Sequence, residues 1–556
     1  MGTISELEFI EKLNRLKAIL FRFEKTDNGL KSNILKELIS ILSDKPHSFM
    51  QFHQTLMCLL AYPGNKDILE LTKKTISDLI DSLSTKKLLQ EKLTGTGLFH
   101  TSIECNFTFS KINYLIQHSP NQVSIHSAAS GIETQKAVLK LLLPNVEYSK
   151  IHDGEKDFKT RIRQFHSSNK PTDLEWLLKT IHSSGVDLKT QSFLYNELGI
   201  FIQWKISAKE DSVSFLRGTD LPVYFHTTPP DKKIDFQSVV SQKLPAPVKL
   251  SLKEKKQLIH SAKMSLLYLY RETEPFTNAN ENDITLFHLD KGISIALFGS
   301  TVDKRYSLES YIGYLVLKNN IPVSYGGGWI FGQRSQFGIN ILEAFRGGES
   351  TLIICELLRV YHQYFGITRF VVKPYQFGLH NPEAIKTGAF WFYYKLGFRP
   401  ENQELKKLAL QEEESKKTVP GYKSDANTLR KYTKSNIALT LSATSFPHFD
   451  SEELSKKISV FINTNFDGNR ELALTQCFKQ FNEGLNIKAT SWKKEDVNYA
   501  KEMSLLFCMS PNSKIWLKKN KKAVMTFIQL KSAKTELSWI KHLQKFKAFW
   551  DLMNSI

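Results

Sequence analysis

Residues 337–400 contain the side chains whose types and spacing could carry out chemistry. An apolar strand pattern leads into Arg346, Gly347 and Gly348, and an amphipathic helical pattern follows from Glu349. Two consecutive glycines allow a tight turn in which successive backbone N–H groups point the same way. The positive end of the following helix adds to this field. The segment therefore predicts a site for an anion the size of a pyrophosphate, with a simple chain-reversing turn as the alternative.

A second motif ends the same segment. Asn381 begins a helical pattern whose last residues, 392–398, read Phe-Tyr-Tyr-Lys-Leu-Gly-Phe. This ending places Tyr393 about one turn before the end of the predicted helix. Five consecutive aromatic residues, 390–394, also predict that part of the helix packs in the core.

Together the two motifs resemble those of the GNAT superfamily, the acyl-CoA-dependent N-acyltransferases. In that family the loop after a central β-meander has the pattern Arg/Gln-x-x-Gly-x-Gly/Ala, and its N–H groups hold the pyrophosphate of coenzyme A. The sequence matches the start of this loop at residues 345–347, and the second motif at Asn381, Ala384 and residues 392–398. The resemblance covers roughly residues 255–400 and implies an α/β fold, with a GNAT-like mixed sheet and packed helices.

The resemblance also implies a cosubstrate and a set of site residues. Acetyl-CoA or another acyl-CoA is the expected cosubstrate, and no metal is expected. The residues expected to bind coenzyme A are Arg346, Gly347, Gly348, Glu349, Ser350, Thr351 and Asn381. Tyr393 is expected to protonate the leaving thiolate, and N–H groups of residues 342–344 to polarise the thioester carbonyl. Glu343 is expected to accept the amine proton, directly or through water, or alternatively to pair with Arg346.

The predicted function is therefore transfer of an acyl group, expected to be acetyl, to an amine. The sequence does not identify this amine acceptor. A catalytically inactive GNAT-like scaffold or ligand-binding module is the alternative. Glu349 favours this alternative, because a small residue is expected at that position of the family's loop and a carboxylate repels a pyrophosphate.

The elements that must position these residues follow from the hydrophobic pattern. Two hairpins, a further strand, a helix, a strand and a second helix are predicted, in that order, at 284–298, 311–331, 337–343, 349–365, 368–373 and 381–396. The order of a meander followed by alternating helices and strands is typical of a mixed α/β domain.

The chain of 556 residues is long enough for three to four domains. We predict a mainly helical N-terminal region at 1–245, the GNAT-like acyltransferase domain at 255–405, a polar connector at 406–435 and a helical, basic C-terminal region at 436–556.

Composition narrows the class of protein. Five scattered cysteines without a CxxC pair, and no signal peptide, indicate a soluble protein of the reducing cytoplasm. The sequence contains no P-loop, HExxH or GxSxG motif. The net charge of +19 comes mainly from lysines spread along the chain. We interpret it as a solvated surface rather than as a site for nucleic acid or an anionic membrane.

The last forty residues are rich in lysine and also contain an apolar helical face. Trp539, Leu543, Phe546 and Trp550 recur at helical spacing. We expect this face to dock on the rest of the protein, because two tryptophans are costly to leave exposed. Contact with an acidic partner, nucleic acid or anionic lipid is the alternative.

Overall fold

The computed structural model describes residues 2–149, 157–166, 171–231, 233–442 and 449–556. Residues 443–448 of the predicted C-terminal region, and the three short gaps within the predicted N-terminal region, lie outside the described residues. The chain forms two compact units. Unit 1 comprises Met1–Pro230, Gln257–Glu272 and Lys318–Pro322, and unit 2 comprises Asp231–Lys256, Thr273–Leu317 and Val323–Ile556.

The helices and strands up to residue 267 are α1 (Gly2–Ala18), α2 (Lys25–Ser40), α3 (Pro46–Ala61), α4 (Lys66–Asp81), α5 (Lys87–Lys92), β1 (Ser102–Cys105), α6 (Phe109–His118), β2 (Val123–Ala128), α7 (Ile132–Leu142), α8 (Asn145–Tyr148), α9 (Phe158–Ile162), α10 (Asp173–Ser183), α11 (Leu188–Glu197), β3 (Ile200–Lys205), α12 (Phe236–Ser241) and α13 (Leu252–Leu267).

From residue 274 onward the elements are α14 (Glu274–Thr277), β4 (Ala279–His288), β5 (Ile293–Ser300), β6 (Ser310–Lys318), β7 (Ile321–Phe331), β8 (Arg334–Ile341), α15 (Ser350–Val360), β9 (Arg369–Val372), α16 (Pro382–Thr387), α17 (Ala389–Lys395), β10 (Arg399–Pro400), α18 (Gln403–Thr418), α19 (Ala426–Tyr432), β11 (Ile437–Thr440), α20 (Ser451–Phe466), α21 (Arg470–Leu485), α22 (Val497–Cys508), α23 (Ser513–Lys519), α24 (Lys521–Lys531), α25 (Leu537–Lys545) and α26 (Lys547–Ser555).

Unit 1 combines helices with a three-stranded antiparallel sheet of order β1-β3-β2. Local signals define several of its helices: the Asn65 side chain accepts the Ile68 N–H at the start of α4, and Thr172 and Glu175 form a capping box at α10. The sequence predicted a mainly helical N-terminal region but not this sheet. The three strands have only four to six residues each, too few for a strong alternating pattern.

Unit 2 is built on an eight-stranded mixed sheet of order β10-β11-β9-β8-β7-β6-β5-β4. The two predicted hairpins are confirmed. Lys291 turns between β4 and β5 with φ 56°, and Asn319 and Asn320 turn between β6 and β7 with φ 47° and 70°. These left-handed conformations match the twist of paired strands, which explains why short polar turns mark hairpins in the sequence.

The helix predicted at 349–365 is confirmed as α15. A π-helical turn (Tyr361–Phe365) extends it, and Gly366 ends it with φ 77°. The single helix predicted at 381–396 is wrong. Gly388 adopts φ 68°, which an α-helix does not accommodate, and it divides this segment into α16 and α17. The structure is thus an α/β protein in which helices precede and follow the large sheet along the chain.

The apolar face of the C-terminal helices is buried within unit 2, as expected. Trp539, Leu543, Phe546 and Trp550 are all buried. The Trp550 ring packs edge-on against Phe331, with ring centroids 5.2 Å apart. A Cβ atom on Gly332 would lie only 2.6 Å from the same indole, so the ring lies directly against the backbone of the β7–β8 turn.

Membrane-spanning helices are not found in the parts of the chain that the structure describes, where none of the helices combines the required length with the required apolarity.

Replacing Trp550 with alanine should remove its contacts with Phe331 and the Gly332 backbone of the sheet. We expect Trp550→Ala to lower the free energy of unfolding by about 3–5 kcal/mol, the cost of emptying an aromatic site in a core. Urea denaturation measures this change. Ile515→Ala, at an exposed position of α23, is the control and should change stability by less than about 0.5 kcal/mol. Equal stability of the two variants would mean that the tryptophan does not hold these helices in place.

Candidate active site

The candidate site in unit 2 begins where two parallel strands separate. Strand β8 pairs with β7 along its whole length, from Arg334 to Ile341. On its other side it pairs with β9 over three residues only, 334–336 with 369–371. Beyond Gln336 the two strands are no longer paired in the described sheet, so residues 337–341 of β8 have no strand partner on this side. We call this unpaired stretch and the space beside it the opening. The loop that follows, residues 342–349, leads from this edge into α15.

Gly338, on this edge, is contacted by groups from two other elements. The Tyr314 hydroxyl, from β6, donates a hydrogen bond of 2.7 Å to the Gly338 carbonyl oxygen. On the side of β9, the Gln376 amide nitrogen lies 3.2 Å from the place that a Cβ atom on Gly338 would occupy. A side chain at this position would require Gln376 to shift by a few tenths of an ångström, so glycine makes room for the amide.

Three consecutive glycines in β7, residues 326–328, give the neighbouring tyrosines their room. Cβ atoms at these positions would lie 2.4 Å from the Tyr314 hydroxyl, 2.5 Å from the Tyr311 ring and 2.6 Å from the Tyr361 ring. Real Cβ atoms do not come so close to another heavy atom. The three tyrosine side chains therefore pack directly against the glycine backbone of β7, where no side chains intervene.

Tyr393, the expected general acid, lies on α17 and is buried. Burial raises the pKa of its phenol well above the usual range. The pKa of Tyr314 is also raised, first by burial and then by the phenols of Tyr361 and Tyr393 nearby. The structure thus brings Tyr393 close to the tyrosine that contacts Gly338. Both phenols are therefore neutral at neutral pH, and each is a weaker acid than an exposed tyrosine.

Arg346, expected to bind pyrophosphate, is at the surface of the loop. Its Nη1 atom lies 2.5 Å from the Glu383 carboxylate of α16, and its Nε donates to the Ile341 carbonyl oxygen at 3.3 Å. The side chains of Arg346 and Glu383 are 55% and 63% exposed, so the ion pair contributes only about 0–1 kcal/mol. A doubly charged phosphate group can therefore displace Glu383 at little cost.

The rest of the predicted loop leads directly into α15. Gly347 has φ 81°, a conformation that favours glycine, and Gly348 follows it. Glu349 is only 4% exposed and immediately precedes Ser350 and Thr351, the first residues of the helix. A carboxylate here is favourable for the helix dipole, although it repels an anion bound at the same N–H groups.

The structure also shows the local environment of two further predicted residues. The Glu343 carboxylate is exposed, and no hydrogen bond or ion pair among the described residues engages it, so Arg346 pairs with Glu383 instead. Asn381 caps α16: its side-chain oxygen accepts the Ala384 N–H at 3.3 Å, and its amide donates to the Tyr375 carbonyl oxygen at 3.2 Å.

One of the N–H groups expected to polarise the thioester has a partner within the sheet. The Leu342 N–H donates to the Val323 carbonyl oxygen at 2.9 Å, which extends the pairing of β7 with β8 by one residue. Stabilisation of a developing oxyanion would therefore have to come from other groups at the opening.

Tyr314, Gln376 and the glycines 326–328 were not among the residues predicted from the sequence. The run of three glycines inside a strand pattern was the available signal, because glycine in a strand marks close approach of another group. Nothing in the spacing of Tyr314 or Gln376 distinguishes them from other polar residues of the sheet and its connections.

Comparisons with known proteins give no relative: no family model, no curated protein and no solved structure matches this chain.

The hydrogen bond from Tyr314 to Gly338 should contribute measurably to the stability of the sheet. Tyr314→Phe removes the hydroxyl of a fully buried tyrosine and leaves the partly buried Gly338 carbonyl oxygen without this donor, and we expect the free energy of unfolding to fall by about 1–3 kcal/mol. Tyr306→Phe is the matched control, since the Tyr306 hydroxyl bonds Glu274 at the exposed surface and its loss should cost much less. Chemical denaturation of both variants tests this difference, and an equal loss would contradict a special role for the buried bond.

Proposed function

We propose that unit 2 is an acyl-CoA-dependent acyltransferase that transfers an acyl group, expected to be acetyl, to an amine. The observation that carries the proposal is the separation of β8 from β9 after three residue pairs, with a glycine-containing turn and the N-terminus of an eleven-residue helix beside it. The meander, the loop, α15, β9 and α17 occur in the order that the resemblance to the GNAT superfamily implies.

The opening is suited to hold an extended thioester. One wall would be the edge of β8 between residues 337 and 341, whose backbone can form hydrogen bonds with an extended ligand in the way that a further strand would. The pyrophosphate would lie at residues 346–351, bound by the Arg346 guanidinium and by N–H groups at the start of α15. This arrangement directs the thioester toward the part of β8 that Tyr314 contacts.

The chemical step would use few groups. The amine must lose a proton, the tetrahedral oxyanion must be stabilised, and the thiolate must be protonated as it leaves. Tyr393 is assigned as the donor to the thiolate because it occupies the tyrosine position of the helix-end motif. Glu343, exposed at the start of the loop, is the candidate to accept the amine proton through water. Positioning of the two substrates in one opening supplies part of the rate enhancement.

A catalytically inactive module that binds an acyl or peptidyl ligand is the second candidate. The buried Glu349 at the N-terminus of α15 favours it, because this carboxylate opposes a bound pyrophosphate. The acyltransferase must bind acetyl-CoA and release free coenzyme A in the presence of an amine, whereas the inactive module does not turn acetyl-CoA over.

Calorimetric titration with acetyl-CoA tests the binding site. We expect a dissociation constant between about 1 μM and 1 mM, as for ordinary substrates. Arg346→Ala should weaken binding by about 10- to 100-fold, because a charge-assisted hydrogen bond to phosphate is lost. The matched control is Arg163→Ala, which removes another exposed arginine paired with a carboxylate, Asp173, and should leave the affinity unchanged. No heat at millimolar ligand would exclude the proposed function.

Release of free coenzyme A with a panel of primary amines tests catalysis. Tyr393→Phe should lower kcat by about ten- to a thousand-fold and leave acetyl-CoA binding nearly intact, as expected for loss of a general acid. Tyr394→Phe is the control at the neighbouring position, since the Tyr394 hydroxyl donates to Glu413 instead. Equal turnover of wild type and Tyr393→Phe would make Tyr393 a packing residue. Binding without turnover for every amine would favour the inactive module.

A further inference from the structure

Two histidines and an aspartate from distant parts of the sequence meet in unit 1. His118 is the last residue of α6, Asp211 ends a 3-10 turn (Lys209–Asp211), and His260 lies within α13. One ligand atom from each of the three side chains lies within 4.8 Å of the other two. Within the described ranges, no other group of three or more histidine, cysteine, aspartate or glutamate side chains meets this criterion.

The distances suit a common ligand. The His118 Nε2 atom lies 2.8 Å from Asp211 Oδ1, and the His260 Nε2 atom lies 3.3 Å from the same oxygen. Around a tetrahedral zinc ion with bonds of about 2.0–2.2 Å, neighbouring ligand atoms are about 3.2–3.6 Å apart. The pair from His260 already has this separation, and the pair from His118 needs to open by only a few tenths of an ångström.

Hydrogen bonds around the three side chains hold them in place. The Tyr114 hydroxyl lies 2.8 Å from His260 Nδ1, so His260 Nε2 is the nitrogen directed at Asp211. The Tyr268 hydroxyl donates to the backbone carbonyl of Asp211, and the Ser119 hydroxyl lies 3.4 Å from Asp211 Oδ2. Histidines that bind metals characteristically donate their second ring N–H to such a partner, which fixes the ring and its tautomer.

Exposure decreases from the histidines to the carboxylate. The side chains of His118, His260 and Asp211 are 34%, 21% and 8% exposed, respectively. The buried carboxylate supplies negative charge at the base of the cluster, and the more exposed histidines leave a route for an ion to enter. A water molecule can complete the coordination from the solvent side.

We propose that His118, Asp211 and His260 bind one zinc ion, with Tyr114 as a positioning residue for His260. Two imidazole nitrogens and one carboxylate oxygen form a borderline donor set that zinc accepts readily, whereas calcium and magnesium prefer oxygen ligands alone. On binding, His260 Nδ1 carries the proton and donates to the Tyr114 oxygen, which leaves the Nε2 lone pair for the ion. The site is independent of acyl transfer in unit 2.

Zinc binding is measured on the full-length protein after treatment with EDTA and removal of the chelator. Calorimetric titration with ZnCl₂ should give one ion per chain with a dissociation constant of about 1 μM or tighter. Titration with Co²⁺ should give visible d–d absorption bands that are lost when zinc is added in excess. Absence of zinc binding by the wild-type chain, or cobalt bands that zinc does not displace, would overturn the proposal.

Variants assign the ion to these three residues. His118→Gln and Asp211→Asn should each weaken zinc binding by at least about 100-fold, and Tyr114→Phe by about 10- to 100-fold. The matched control is His126→Gln, which removes another histidine of unit 1 that lies 4.0 Å from the Glu104 carboxylate, and it should bind zinc like the wild type. His118 is the most exposed ligand and glutamine keeps an amide donor for Asp211, so the metal-free variant should still show a cooperative melting transition. Unchanged affinity in His118→Gln with normal melting would place the ion elsewhere.

Discussion

The parallel pairing of β8 with β9 ends after three residue pairs, and every feature of the candidate active site depends on that early end. Had the pairing continued to Ile341, the backbone of β8 would be satisfied on both sides and no ligand could reach it. Because it stops at Gln336, the next five residues of β8 border an opening, and the loop of residues 342–349 begins there. The position of the candidate site is thus determined by the backbone pairing of the sheet.

The opening also depends on the absence of side chains. The glycines at 326–328 let the rings of Tyr311, Tyr314 and Tyr361 lie on bare backbone, and Gly338 leaves space between Tyr314 and Gln376. Each glycine costs conformational entropy in a strand, about 0.5–1 kcal/mol relative to alanine. Buried aromatic contacts and the hydrogen bond from Tyr314 to Gly338 offset this cost. Burial also raises the pKa of the Tyr393 phenol.

The sequence predicted the large sheet better than the details of the site. Residues 311–331 form two mainly apolar runs separated by Asn319-Asn320, and this local pattern is enough to predict a hairpin. The division at Gly388 of the helix predicted at 381–396 was not predicted. A glycine within a helical pattern can be tolerated or can end the helix, and tertiary contacts determine which of the two occurs. The partner of Arg346 was also missed: Glu383 lies 37 residues further along the chain, and only the fold brings the two together.

The histidine and aspartate cluster of unit 1 is a second set of contacts that the sequence could not predict. Zinc sites with short ligand spacings can be recognised in a sequence, whereas His118, Asp211 and His260 are separated by long stretches of unrelated chain. Their proximity depends on the packing of α6, the turn ending at Asp211 and α13. Long-range contacts of this kind are not encoded in local periodicity, so neither the cluster nor Tyr114 beside it could have been proposed without the structure.

Hydrogen–deuterium exchange with and without acetyl-CoA tests most directly whether the opening beside β8 is an acyl-CoA site. A ligand that binds there must slow exchange in the segments it contacts, because it stabilises the closed state of those amides. We predict slower exchange in peptides covering residues 337–352, with peptides of unit 1 unchanged. Equal exchange at residues 337–352 under saturating ligand, or protection confined to other segments, would contradict the account.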